Sequence, residues 1–84
     1  MSTPGMGLGR VIAAWNLRTS PERHLSRAEV ARTLLVLADE VGVTVAERDR
    51  LESFPTATRD LVSARAVAAW LAAQQAQLGA PTGQ

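Results

Sequence analysis

Cysteine is absent from the chain, so disulfides and thiolate metal sites are excluded. Lysine and tyrosine are absent too, and His24 is the only histidine, which excludes a histidine-rich metal site. Aromatic residues reach only 4%, as two tryptophans and one phenylalanine. The longest uninterrupted apolar stretch, Ala66 to Ala73, falls far short of the roughly 20 residues that span a bilayer. The start, MSTPGMGLGR, lacks the pattern of a secretory leader: its first charge, Arg10, precedes an apolar run, VIAAW, that is too short. These absences point to a cytoplasmic protein without cofactor or metal.

Charge of one sign is also missing. Nine arginines face eight acids, for a net charge of +1. Residues 10–32 are net basic and residues 39–52 net acidic, a mild polarity rather than a nucleic-acid patch. What the chain does have is alanine, fifteen in 84 residues. With arginine and no lysine, this composition suggests the coding bias of a GC-rich bacterium or phage. A chain this short forms one domain with a marginal core, and self-association is the remaining way to support it.

Periodicity predicts an all-α domain: a small four-helix bundle or orthogonal helical array over residues 8–78, between flexible ends at 1–7 and 79–84. No internal repeat is visible. The first helix is expected at 8–17, where Leu8, Val11, Ile12 and Trp15 form one stripe. Thr19-Ser20-Pro21 stops it, and a short turn follows over 21–24. The second is expected at 26–41. Ser26 and Glu29 suggest a capping box, Leu25 and Val30 a hydrophobic staple, and Gly42 a left-handed stop. Thr44 and Glu47 suggest another capping box, opening a helix at 45–53 that Pro55 closes. The last helix is expected at 57–78, capped by Thr56 or Thr58. This keeps Leu61, Ala64, Ala68, Leu71 and Leu78 on one stripe. The alternative start, Ser63, leaves Leu61 and Val62 extended. No segment alternates long enough to read as a strand.

The pair at 26–41 and 45–53 invites a helix-turn-helix test. Ala38 and Gly42 suit the small residue and the turn glycine, and Leu37, Val41, Val43 and Leu51 suit the apolar positions. The remaining buried position falls on Arg48. The would-be reading helix also carries Glu47, Asp49 and Glu52, which would repel phosphates. LSRAEVARTL (Leu25–Leu34) resembles the opening of bacterial helix-turn-helix regulators, and AWLAAQQ (Ala69–Gln75) resembles the tail of excisionase-type proteins. The resemblance implies DNA binding; the chain departs from it in lacking a glycine turn after Leu34 and a basic wing.

No catalytic constellation appears. His24 has no nucleophile or carboxylate at a helpful spacing, and Ser20, Ser26, Ser53 and Ser63 have no base. Asp39 and Glu40 crowd a helix C-terminus, where a solvated end is the ordinary reading. The glycines of GMGLG (Gly5–Gly9) lack the strand and lysine of a phosphate loop.

The last helix is apolar on both sides. Leu61, Val67, Trp70, Leu71 and Leu78 occupy one half; Ala66, Ala69, Ala72, Ala73 and Ala76 occupy the other. The first half is expected inside the domain and the alanine half at a partner. The function expected is a non-enzymatic helical protein–protein interaction module: an adaptor, regulator or phage assembly component, with self as a possible partner. The alternative is a small DNA-binding regulator or excisionase-like protein using Arg10, Arg18, Arg23, Arg27 and Arg32.

Overall fold

The computed structural model describes residues 6–79. Four helices pack into a small helical array: α1 (Met6–Arg18), α2 (Arg27–Val41), α3 (Val45–Glu52) and α4 (Ala64–Gly79). Two two-residue strands, β1 (His24–Leu25) and β2 (Val62–Ser63), join the loops that precede α2 and α4. They pair antiparallel, with Leu25 opposite Val62 and His24 opposite Ser63.

The core is assembled from the stripes that helical spacing picks out. Leu8, Val11 and Trp15 of α1, Val30, Leu34 and Leu37 of α2, Leu51 of α3 and Val67 and Leu71 of α4 are all buried. Trp15 also spans between elements: its indole N–H donates to the Ala64 carbonyl at 3.0 Å. Gly9 lies against Gln75, so α1 and α4 run antiparallel.

Helix α2 begins as its cap residues dictate. The Ser26 hydroxyl accepts from the Glu29 N–H at 3.1 Å. The reciprocal half of the expected capping box is replaced, because the Glu29 carboxylate turns to Arg23 at 3.6 Å. Gly42 ends the helix at φ 75°, donating to the Ala38 carbonyl. At α3 both halves of the capping box form between Thr44 and Glu47.

Several expectations are corrected. Helix α1 starts at Met6 and α4 runs to Gly79, so residues 6, 7 and 79, expected within the flexible ends 1–7 and 79–84, are helical; residues 1–5 and 80–84 lie outside the described residues. The turn after α1 ends early, and His24 joins a strand. Helix α4 begins at Ala64, not at 57. The Ser63 hydroxyl accepts from the Ala66 N–H at 3.1 Å, which is the alternative start. The Leu25–Val62 bridge fixes an extended backbone just before it. Leu61 therefore leaves the α4 stripe and stands 62% exposed in the α3–β2 loop.

The absence of a repeat is corrected as well. The chain is two helix–loop–helix units, α1-β1-α2 and α3-β2-α4, joined through their loops. Leu25, Ser26, Val30, Leu34, Val41 and Gly42 recur in order as Val62, Ser63, Val67, Leu71, Leu78 and Gly79. Ser26 and Ser63 cap equivalent helices. An aromatic near the end of each first helix reaches the start of the other unit's second helix: Trp15 of α1 meets Ala64, and Phe54, just past α3, lies under Arg27 at 5.8 Å.

Candidate interaction surface

Helix α4 presents two different sides. Val67 and Leu71 are buried, Trp70 and Leu78 half-buried. The Trp70 ring meets Phe54 edge to face, with centroids 5.1 Å apart. Ala66, Ala69, Ala72, Ala73 and Ala76 are all exposed to solvent. No charged residue occurs in α4 after Arg65. Helix α1, antiparallel beside it, likewise has Arg10 as its only charge before Arg18 and exposes Met6, Ala13, Asn16 and Leu17. Leu17 is 88% exposed. All eight acids lie outside α1 and α4. The molecule therefore has a nearly uncharged pair of helices and a charged pair.

The arginines considered for nucleic-acid contact are dispersed and mostly engaged. Arg18 pairs with Glu40, and Arg23 with Glu29. Arg10 donates to the Val41 carbonyl at 3.5 Å. Arg27 donates to the Pro55 carbonyl at 3.2 Å while its guanidinium covers the Phe54 ring. Its Nε is buried without a partner among the described residues. Arg32 stands exposed on α2.

Helix α2 runs unbroken through Leu34 to Val41, so no turn follows Leu34. Arg48, at the helix-turn-helix motif's apolar position, is half-buried and pairs with Asp39 at 2.8 Å and Glu52 at 3.5 Å. Asp49 and Glu52 face solvent.

The structure brings His24 opposite Ser63 across the bridge, a neighbour that chain spacing could not show. Among the described residues no hydrogen bond joins them, and the Ser63 oxygen is occupied by the Ala66 amide. The hydroxyls of Ser20, Ser26 and Ser53 are likewise taken up by nearby groups. A calcium loop on the helix–loop–helix plan holds its ion through several carboxylates and a closing glutamate. Here Glu22 and Glu29 are the only acids within residues 18–29, with Glu29 turned to Arg23, and Asp60 is the only one within 55–66. Glu22 pairs with Arg65 at 2.8 Å. That bond holds its carboxyl below the usual range. No group of three or more His, Cys, Asp or Glu that could hold a metal occurs among the described residues. None of their helices is long and apolar enough to cross a membrane.

Residue types and spacing did not reveal the role of Glu47, a buried carboxylate that ties α1 to α3. It is 4% exposed. One oxygen accepts from the Thr44 N–H and the other from the Gly7 N–H, each at 2.8 Å. A Cβ at residue 7 would sit 2.5 Å from the carboxylate, so glycine is what permits the approach. Burial pushes the Glu47 carboxyl up, but the hydrogen bonds from Thr44 and Gly7 outweigh it and hold the group below the ordinary carboxylate value.

No protein-family profile matches the chain, and no significant match is found among curated proteins or solved structures.

Proposed function

We propose that the protein is a small non-enzymatic helical interaction module that acts through the alanine side of α4, with a second copy of the chain as its partner. The observation that carries this reading is the exposure of Ala66, Ala69, Ala72, Ala73 and Ala76 together on a helix without a charge beyond Arg65. Small side chains let two helices approach closely, so much of each backbone cylinder comes into van der Waals contact. An uncharged surface can meet its own copy without like-charge opposition. The side chains that hold the monomer together project from the other half of α4, so the alanine half is free for this role. The DNA-binding alternative receives less support, since four of its five arginines already have partners within the fold.

Ala73→Glu tests the reading. Glutamate retains good helix propensity, so the monomer should keep its helical circular dichroism. A charge in a close-packed contact should lower the mass in light scattering to that of a monomer at concentrations where the parent chain associates. Equal masses for parent and variant would contradict the proposal.

A further inference from the structure

We propose that α3 is a lid: it releases from the domain and re-closes as a unit while α1, α2 and α4 stay folded. The two helix–loop–helix units make the argument, because equivalent helices are attached by different chemistry. Helix α1 buries Leu8, Val11 and Trp15. Helix α3 buries only Glu47 and Leu51. Where α2 sends Leu37 into the core, α4 sends Gln74, 8% exposed. Arg50 of α3 reaches Gln74 at 3.4 Å and Gln77 at 2.6 Å. Leu51 is the one apolar side chain that α3 buries, and two further polar ties join Glu47 to Gly7 and Arg48 to Asp39. Such contacts exchange readily for water, whereas apolar area does not.

Both ends of α3 are built to give. On one side stands Gly42, an exposed left-handed glycine (φ 75°) that joins α2 to α3 and can turn without a side chain to obstruct it. On the other, residues 55–61 are all exposed. The rest of the domain has its own ties. The Leu25–Val62 bridge joins the loops, and Trp15 joins α1 to α4. Phe54, held between Arg27 and Trp70, marks where the moving segment ends.

Native-state hydrogen exchange in low urea tests this on the full chain, at a pH where closing outpaces exchange. A local opening exposes little surface and so responds weakly to urea, whereas global unfolding responds strongly. The amides of Arg48 to Glu52 should share one opening that is nearly urea-independent and at least about 10-fold more frequent than that of Leu34 and Leu71. Ser26→Ala adds a second reading. It weakens α2, which stays folded when the lid opens. Core exchange should rise about 2–30-fold, the range for a lost cap, with α3 exchange unchanged. If α3 amides follow the same urea slope as Leu34, or rise with the core in Ser26→Ala, α3 opens only with the whole protein and the proposal is overturned.

Discussion

Replacing Trp15 with alanine should cost about 3–5 kcal/mol, the range for truncating a buried aromatic. Total stability for a domain of 84 residues is on the order of 5–10 kcal/mol, so the variant should be largely unfolded at modest temperature. Two losses combine. The ring is fully buried in the hydrophobic core, and its N–H is the donor to the Ala64 carbonyl at the first residue of α4. Trp15→Phe separates them. It keeps most of the apolar area and removes the donor, so it should cost about 1–3 kcal/mol, mainly from the carbonyl left without its bond. Urea unfolding followed by far-ultraviolet circular dichroism measures both. An alanine variant within about 0.5 kcal/mol of the parent, the usual range for surface changes, would mean that Trp15 does not organise the core.

The second large effect belongs to Glu47. Its carboxylate accepts from the Gly7 and Thr44 amides, and a carboxamide cannot repeat both bonds, because one of its ends is a donor. Glu47→Gln should therefore cost about 1–3 kcal/mol. Gly7→Ala should cost a similar ~1–3 kcal/mol by forcing the carboxylate away. The pH dependence has a definite sign. The folded value of Glu47 lies below the ordinary one of about 4.3, so the folded state favours the charged form. Its contribution is fully present above that ordinary value and is lost as pH falls through the folded value. Acid titration of stability should show a loss in this window for the parent and a smaller one for Glu47→Gln. Identical acid limbs would show that the Gly7–Glu47 link contributes nothing.

The parts legible in the sequence are those written in local chemistry. Helix α2 carries its own start in Ser26 and its own stop in Gly42, and Thr44 with Glu47 marks α3. The division of α4 into a Trp70 side and an alanine side follows from helical spacing alone. The parts that were not legible depend on distant residues. Helical spacing alone extends α4 back past Leu61, because Leu61 continues its stripe. What ends the helix at Ala64 is a cap at Ser63 and a bridge to Leu25, which lies in the other unit. Two-residue strands are too short for alternation to register.

The repeat was hidden for a related reason. Only the bridge, cap and core positions recur with matching roles, and the loops within the two units differ in length. The spacing from Thr44 marks Glu47 as half of a capping box. Its second oxygen, which reaches Gly7, becomes visible only once α1 and α3 are packed together. Gly7 is the one local signal, and it sits in a glycine-rich stretch whose spacing carries no mark of a contact to α3.

The central claim, that the alanine side of α4 meets its own copy, is tested most directly by a thiol placed on it. The absence of native cysteine makes this clean. Ala73→Cys puts one thiol at the middle of the exposed row, and Ala46→Cys puts one on exposed α3 as a reference. Under mild oxidation at matched concentration, Ala73→Cys should form a disulfide-linked dimer much faster than Ala46→Cys, because association holds its thiols near bonding distance. Equal, slow cross-linking of the two variants would contradict the account.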